Sequence, residues 1–363
     1  MRYLDHVEDC GIVLSPDAPG EAYYEWDGGG IREAICTPVD GVYYLSYDGA
    51  MPGGTHESYW NACQARSTDL VHWEKCGTNM KSSALTHPEG TWEVYKDFCS
   101  ASSPWSFYDN GVWYHYYVGA DHCAPDGTPA FRYSTLLATS DILTGEWRKR
   151  CDQSGCEKHV CFPTGAPGEW DDETASPGQV LINPAYAAGK AGEKKYLMIY
   201  SGSCSGVCKR SLGIARTDDL AAADDFDRPA GHFWQKDPEP ILPPAHDIEN
   251  SSVFYEEESR LYWLFTNHIY GNAYTDAVWV YWSKDPTRWD PECRAVVVDA
   301  GVSTWAKGAI GMPSVVRLDA DTLALLYDGV KGEGTGHLHR HIGLAKIRLP
   351  LCLKPEKEES GEA

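Results

Sequence analysis

Three glutamates stand in short polar segments just before apolar, tyrosine-rich runs, and they could supply a pair of carboxyl groups for acid–base chemistry. They are Glu33, Glu173 and Glu249. A carboxyl group that donates a proton needs a raised pKa, which burial or a neighbouring carboxylate provides. Asp172 directly precedes Glu173, and Asp247 lies two residues before Glu249, so both have such a neighbour. We therefore predict that a catalytic acid and base come from these three glutamates.

Other interpretations compete at each of these positions. Glu33 could form an ion pair with Arg32, but adjacent residues of a strand point to opposite faces, so the sequence argues against that pair. Glu173 lies in an acidic loop that could simply face solvent, and Glu249 could be a buried acid that accepts backbone N–H groups. The prediction keeps all three glutamates as catalytic candidates.

Aromatic and polar residues near these segments are the candidates for contact with a substrate. The sequence contains 14 Trp and 22 Tyr, more aromatic surface than a core needs. Asp27 precedes three glycines, which allow either a sharp turn or a close approach of the backbone to a ligand. The predicted substrate-binding set is Trp26, Asp27, Arg32, Ser103, Trp105, Asp172, Asp247 and His268.

Five aromatic strands, spread along the chain, are the elements that must position these residues. Each is short, rich in β-branched and aromatic residues, and bounded by Gly, Asp or Asn, as is typical of strands. A short segment precedes each one, and Glu33 and Glu249 lie in two of these segments. The strands are VYYLSYDGA (42–50), VWYHYYVGAD (112–121), KYLMIYSGS (195–203), LYWLFTNHI (261–269) and LALLYDGV (323–330).

A second strand pattern, ending in a turn and usually a tryptophan, follows each of the first four aromatic strands. A unit of three or four antiparallel strands cannot bury both of its faces alone, so its repetition indicates a solenoid, an array or a propeller. We predict an all-β fold, a five-bladed β-propeller with about four antiparallel strands per blade around an axial funnel. The copies are ARSTDLVHWEK (65–75), LATSDILTGEWRK (137–149), IARTDDLAAADDF (214–226) and YWSKDPTRWD (281–290).

The composition restricts the possible partners and compartments of this 363-residue protein. A net charge of −22 argues against nucleic acid and against an anionic membrane surface. We find no apolar core of a signal peptide and no run of about 18 apolar residues, so we expect a cytoplasmic protein that does not enter a membrane. We predict one domain over residues 1–353 and a charged, disordered tail over 354–363. The sequence does not predict the oligomeric state.

The cysteines do not form a recognisable metal site. Thirteen is an odd number, so they cannot all pair within the chain. Zinc ribbons use two matched C-x₂₋₄-C pairs, and the spacing here does not provide them. We predict reduced thiols and no cofactor, with a structural divalent cation in the funnel as the alternative.

These features together resemble the five-bladed propeller glycosidases. The resemblance rests on the Gly-x-Tyr-Tyr-Leu-x-Tyr strand and the following Ala-x-Ser-x-Asp-Leu-x-x-Trp pattern, and it covers about residues 20–350. It points to glycoside hydrolase family 43, with families 32, 68, 117 and 130 as relatives. The tryptophan- and proline-containing motifs of the fructosidases are absent.

The resemblance implies roles for two of the glutamates. In family 43 the general base is an aspartate ten residues before the Tyr-Tyr-Leu strand, and Glu33 occupies that position here. The family's general acid lies in an Ile-Glu-Gly-Pro-x-Val frame, which resembles the segment 248–253 and implies Glu249. Glu249 falls in the fourth repeat instead of the third, where Glu173 is the alternative. The family's second-blade aspartate has no clear equivalent, since Ser102 and Ser103 stand there.

The leading interpretation is a glycoside hydrolase that acts from the chain end of a small glycan or oligosaccharide. Such enzymes hold two carboxyl groups about 5–5.5 Å apart for retention or about 6.5–9.5 Å apart for inversion. One alternative is a phosphorylase like those of family 130, for which Arg32 and the run 337–341 would supply the cations. The other is a non-catalytic carbohydrate-binding propeller. The sugar, the linkage and the stereochemical outcome stay open.

Overall fold

The computed structural model describes residues 1–53, 60–80, 100–121, 132–150, 159–204, 209–225, 228–270 and 274–355. Most of the predicted tail lies outside these residues. Nearly all regular structure in the described part of the protein is β-strand, as the sequence predicts. Within the same ranges, no helix has the length and apolar character that crossing a membrane requires.

The strands follow one another along the sequence, and the described ranges also contain three short helical turns. The helical turns are α1 (Tyr24–Asp27), α2 (Pro184–Ala187) and a 3₁₀ turn (Pro244–His246). The strands are β1 (Val7–Leu14), β2 (Gly30–Val39), β3 (Val42–Ala50), β4 (Trp60–Ser67), β5 (Glu74–Met80), β6 (Ser100–Asp109), β7 (Val112–Asp121), β8 (Arg132–Ser140), β9 (Arg148–Lys149), β10 (His159–Phe162), β11 (Thr174–Ser176), β12 (Val180–Ile182), β13 (Tyr196–Ser203), β14 (Arg210–Thr217), β15 (Asp224–Asp225), β16 (Gln235–Lys236), β17 (Ile248–Glu256), β18 (Leu261–Tyr270), β19 (Tyr274–Ser283), β20 (Arg294–Asp299), β21 (Ala306–Arg317), β22 (Thr322–Lys331) and β23 (Arg340–Arg348).

Consecutive strands pair antiparallel and form groups that match the sequence repeats. The first group is β2 to β5, and the second is β6 to β9. The third contains β11 and β12, both paired with β13, followed by β14 and β16. The fourth group is β17 to β20. The predicted aromatic strands are β3, β7, β13, β18 and β22; each is the second strand of its group when β11 and β12, which both pair with β13, are taken together as one interrupted first strand.

The last group takes one strand from the other end of the sequence. Strands β21, β22 and β23 pair in order, and β1 then pairs antiparallel with β23. Val7 lies opposite Ile347, and Leu14 lies opposite Ile342. The N-terminal strand therefore completes the sheet that the C-terminal strands begin.

The core lies between the groups because each group has an apolar face toward its neighbour. Leu264 of the fourth group packs with Ile199 of the third, and Phe265 packs with Leu325 of the last. The last group also packs against the first, through a cluster that contains Leu326. The packing therefore returns from the last group to the first.

A bulge interrupts the first strand of four groups at the same point of the register. The register shifts there, and one residue has a positive φ: Glu33 (52°), Ser103 (49°), Asn250 (51°) and Met312 (53°). In the third group, β11 ends at Ser176 and β12 begins at Val180. Ser176 pairs with Ser201 as Arg32 pairs with Asp48, so Pro177 takes the place of the bulge residue.

Candidate functional site

A cavity opens where the bulges of several groups meet. The space that a water-sized sphere can occupy is about 100 Å³, and the wider space counted out to the open mouth is about 700 Å³. Two arginines, a histidine and two glutamates stand among serines and two aromatic rings. The lining residues are Arg32, Glu33, Trp60, Ser102, Ser103, Val118, Tyr133, Thr174, Ser176, Arg210, Glu249, Asn250 and His337.

Glu33 is held tightly at the wall of this cavity. It is only 8% exposed, and the Ser103 hydroxyl donates a hydrogen bond to its Oε2. Arg32 Nε lies 3.7 Å from its Oε1, so the expectation that these neighbours point apart is wrong. The reason is the bulge: the left-handed backbone of Glu33 breaks the alternation of a regular strand and brings both side chains to one side.

Two buried aspartates that the sequence analysis does not select surround Glu33. Asp328 Oδ2 accepts the backbone N–H of Glu33 at 3.0 Å, and Asp48 Oδ1 accepts the backbone N–H of Ser103 at 2.5 Å. Arg32 Nε also lies 3.4 Å from Asp48 Oδ2. Burial raises the pKa of both aspartates, to about 6 for Asp328. The Tyr-Asp-Gly sequence in two of the aromatic strands is the available signal, because an aspartate inside an apolar strand needs a partner.

Glu249 lines the same cavity from the fourth group. Arg210 Nε lies 3.2 Å from Glu249 Oε1. Burial is the largest influence on the pKa of Glu249 and raises it; Arg210 opposes the shift, while the negative charges of Glu33 and Asp247 reinforce it. The influence of Glu33 shows that the two predicted glutamates share one electrostatic environment.

Asp247 supports this arrangement from behind and does not line the cavity. Its Oδ1 accepts the backbone N–H of Arg210 at 2.7 Å and lies 3.9 Å from Arg210 Nη1. The residue has a positive φ of 50° at the end of the 3₁₀ turn. Asp247 therefore orients the guanidinium that faces Glu249.

Glu173 borders the cavity without lining it. Its backbone carbonyl accepts the N–H of Tyr133, and its backbone N–H donates to the carbonyl of Ser203, both at 3.0 Å. Burial raises the pKa of its side chain, and Arg210 opposes that shift. Asp172 accepts the N–H of Gly168 at 2.7 Å and lies outside the lining. Arg210 thus acts on the charges of both Glu173 and Glu249.

The aromatic residues at the cavity differ from those predicted. Trp60 forms part of the wall, with the Arg32 guanidinium 3.9 Å from its ring centroid, and Tyr133 forms another part. Trp105 is buried, 6% exposed, and Trp26 packs against the core between the first and last groups. Neither of the predicted tryptophans lines the cavity, because the sequence shows their proximity to the strand ends but not the side on which they pack.

Asp27 is a structural residue and not a substrate contact. It is fully buried, accepts a hydrogen bond from the Tyr47 hydroxyl at 3.0 Å, and accepts one from Lys75 Nζ at 2.5 Å. The third group repeats the arrangement, because Asp171 accepts from the Tyr200 hydroxyl at 2.8 Å and from the lysine of β16 at 2.7 Å. The repeat explains why Trp-Asp occurs at both 26–27 and 170–171.

His268 lies in a different cavity, away from Glu33. That cavity is also lined by His246, Asp276, Trp279 and Arg294. His268 Nε2 is 2.9 Å from the Tyr281 hydroxyl, and its ring stacks on Trp279 with centroids 4.5 Å apart. Burial lowers the pKa of His268 to about 3. The prediction that it contacts the substrate at the main site is therefore not supported by its position.

The histidine-rich run 337–341 contributes two residues to the site and its support. His337 lines the cavity, and its Nδ1 accepts a hydrogen bond from Arg32 Nη1 at 3.0 Å. Arg340 is fully buried, and its Nη1 donates to Asp328 Oδ1 at 2.7 Å. The run thus holds both Arg32 and Asp328.

The backbone N–H groups at the four bulges share one pattern of capping. Each donates to a side chain on the second strand of the preceding group: Glu33 to Asp328, Ser103 to Asp48, Asn250 to Ser201 at 3.0 Å and Met312 to Asn267 at 3.3 Å. In the third group Pro177 stands at the register-equivalent position, and it has neither a backbone N–H to donate nor access to the positive φ of the four bulge residues. The corresponding position of the second group is Val118, which has no acceptor. Between the second and third groups, the backbone donor and the side-chain acceptor of this pattern are therefore both missing.

The described residues show no cluster of metal ligands at the cavity. Asp5, His6 and Cys352 are the one set of potential ligands found close together in these ranges, with ligand atoms within 4.8 Å of one another. None of the three lines the cavity. A cation in the funnel stays a prediction without support from a ligand set.

Comparison with known proteins identifies the fold. No family model and no curated protein matches the sequence. Among solved structures, a complex of the protein BT0996 with RGII is similar over 98% of this sequence and 94% of its own, with a TM-score of 0.66 and 14% identity. A family 117 glycoside hydrolase from Zobellia galactanivorans has a TM-score of 0.58 and 15% identity over 95% of this sequence and 90% of its own. The catalytic domain of a family 62 α-L-arabinofuranosidase from Coprinopsis cinerea has a TM-score of 0.58 and 12% identity over 96% of this sequence and 98% of its own.

These structures confirm the predicted resemblance at the level of the fold. The protein shares the all-β, propeller-type architecture of glycoside hydrolases. At 12–15% identity the likeness carries the fold alone, so activity has to be argued from the cavity.

Proposed function

We propose that this protein is a glycoside hydrolase with a five-bladed propeller fold, and that Glu33 and Glu249 are its catalytic pair. The observation that carries the proposal is that both glutamates line one cavity from different strand groups. Glycoside hydrolysis requires two carboxyl groups on opposite sides of the bond that breaks. The similarity of the fold to glycoside hydrolases agrees with this chemistry.

We assign Glu249 as the general acid and Glu33 as the base or nucleophile. Burial raises the pKa of Glu249, which favours the protonated form that a leaving oxygen needs. Glu33 faces the hydroxyl of Ser103 and the guanidinium of Arg32, which fix the orientation of its oxygens. Glu173 is the alternative acid, because burial raises its pKa as well and Arg210 acts on its charge as it does on that of Glu249.

The substrate in this proposal is an oligosaccharide that enters with one chain end. Ser102, Asn250 and His337 supply hydrogen-bonding groups to the cavity, and Trp60 and Tyr133 supply apolar surface. Residues of the first four strand groups line the cavity, and this enclosure agrees with binding of one chain end and removal of a terminal sugar. Since one similar structure is described as a complex with RGII, oligosaccharides of that origin belong in the substrate panel.

A phosphorylase is the second candidate, because Arg32, Arg210 and His337 bring positive or donor groups to the cavity. Both arginines already face carboxylates, at 3.4 Å from Asp48 and 3.2 Å from Glu249. Such pairing reduces the positive charge available to inorganic phosphate, which favours water as the acceptor of the sugar. A non-catalytic carbohydrate-binding protein would bind the same ligands without turnover.

The test is a panel of aryl glycosides and oligosaccharides assayed with and without inorganic phosphate. We expect turnover without phosphate, and a loss of about 10²–10⁴-fold in kcat on the oligosaccharides for Glu33→Gln and Glu249→Gln, as for other acid–base groups. The exposed Glu239→Gln is the matched control and should keep full activity. Turnover that depends on phosphate would favour the phosphorylase. Binding without turnover on the whole panel would favour the non-catalytic protein.

A further inference from the structure

The backbone at Glu33 requires a stabilising partner. Its φ of 52° is in the left-handed region, which costs about 1–3 kcal/mol for a residue other than glycine. A strained residue persists only where its surroundings hold it in place, and such residues concentrate at functional sites. The group that holds Glu33 is therefore expected to affect whatever its side chain does.

Asp328 makes the contact that fixes this backbone. Its Oδ2 accepts the Glu33 N–H at 3.0 Å, and its Oδ1 accepts Arg340 Nη1 at 2.7 Å. Arg340 Nε in turn donates to the carbonyl of Gly336 at 3.0 Å. Asp328 and Arg340 are both 0% exposed. The pair ties the bulge of the first group to the loop that carries His337.

The charge of Asp328 exceeds what capping a backbone N–H requires. At the equivalent positions Ser201 caps Asn250 and Asn267 caps Met312, so neutral side chains are sufficient there. Carboxylates occur at the two caps around Glu33, namely Asp328 itself and Asp48, which holds Ser103. A buried ion pair contributes little net stability because removing both charges from water is costly. The charge of Asp328 balances the buried Arg340 guanidinium and, through it, links the bulge at Glu33 to the loop that carries His337.

We propose that Asp328, held by Arg340, is a positioning residue that aims the Glu33 carboxylate into the cavity. The proposal rests on the function proposed above. Asp328 does not touch the substrate: it acts through the backbone of Glu33, while Asp48 acts through Ser103. Asp328 itself does not line the cavity.

The test compares Asp328→Ala with Asn267→Ala, which removes the same kind of cap from Met312, a residue outside the cavity. We expect Asp328→Ala to lower kcat at least about 30-fold with KM within about threefold, and Asn267→Ala to change kcat less than about threefold. Asp328→Asn supplies one acceptor oxygen for the two donors, Glu33 N–H and Arg340 Nη1. Its kcat should therefore lie between those of Asp328→Ala and Asn267→Ala. Arg340→Lys keeps the charge and should recover part of the activity that Arg340→Ala loses.

A crystal structure of the Asp328→Ala protein gives a readout that does not depend on activity. We expect the φ of Glu33 to leave the left-handed region. If Asp328→Ala does not fold, Asp328→Asn and Arg340→Lys provide the same comparison. Equal kcat losses in the Asp328 and Asn267 variants, or an unmoved Glu33, would overturn the positioning role. A wild-type protein that hydrolyses no glycoside would instead overturn the proposed function. In that case the crystal structure of the Asp328→Ala protein still shows whether Asp328 holds the backbone of Glu33.

Discussion

At the scale of single residues, the sequence brings out Glu33 and Glu249 because each stands in a segment that resembles a glycosidase motif, and both line the cavity. The residues that surround the two glutamates cannot be predicted from the sequence. The contact between Arg32 and Glu33 depends on a bulge, and a bulge leaves no mark in a pattern of alternating residues. Asp48 and Asp328 are visible as polar residues inside apolar strands, but their partners come from other parts of the sequence.

The pH dependence of turnover should reveal Glu249 as the acid. The protonated form is the active one, so kcat/KM should fall as the pH rises through the pKa of Glu249. Burial places that pKa above its usual value near 4.5. In Glu249→Gln this basic limb should be absent, as pH profiles of kcat/KM on an oligosaccharide, whose leaving group needs protonation, would show. An unchanged basic limb in the variant would exclude Glu249 as the acid.

Lys75 should be far more important for stability than an exposed lysine in a similar ion pair. Lys75→Met leaves the fully buried Asp27 without its cation, which should cost about 3–5 kcal/mol of unfolding free energy. The control is Lys194→Met, whose pair with Asp218 is exposed and should contribute about 0–1 kcal/mol. Urea unfolding of both variants measures the difference, and equal losses would refute the structural role of Asp27.

At the scale of elements, the sequence predicts the strands well because each has its own pattern of aromatic and turn residues. The sequence does not predict which of the residues next to the end of a strand face the cavity. Trp26 and Asp27 illustrate this, because the sequence suggests substrate contacts and the structure shows a packing element that Trp170 and Asp171 repeat. Comparing the two Trp-Asp sequences with each other would have indicated a shared structural role.

The capping pattern between groups can be tested where its donor and acceptor are both absent. Pro177→Ala introduces a backbone N–H opposite Val118, and Val118→Asn introduces an acceptor without a donor. Each single change should lower the unfolding free energy by about 1–3 kcal/mol because a buried polar group lacks a partner. In the double variant the loss of unfolding free energy should be about 0.5–3 kcal/mol smaller than the sum of the two single losses, as a double-mutant cycle measures. Additive losses would show that Pro177 does not occupy the bulge position.

At the scale of the whole molecule, the repeat predicts five strand units in sequence order, and the described strands pair in the same order along the sequence. The pairing of β1 with β23 cannot be predicted, because it joins segments more than 300 residues apart and neither has a distinctive pattern. This pairing covers an edge of the last group that would otherwise offer unpaired N–H and C=O groups.

Removing residues 1–14 should therefore destabilise the entire fold. Without β1, the edge of β23 is open, and buried residues such as Ile342 and Leu344 lose their cover. We expect a lower Tm and association in size-exclusion chromatography. Removal of residues 356–363 is the control and should leave both properties unchanged. A truncated protein with the stability of the full one would show that β1 does not close the structure.

The most direct test of the catalytic pair is the dependence of each variant on the leaving group. A dinitrophenol leaves without a protonating acid, whereas a poor leaving group needs one. We predict that Glu249→Gln keeps most of its kcat/KM on the dinitrophenyl glycoside and loses at least about 10³-fold on a methyl glycoside or disaccharide. Glu33→Gln should lose activity on both. Equal losses of Glu249→Gln on the two substrates, or an active Glu33→Gln, would contradict the assignment.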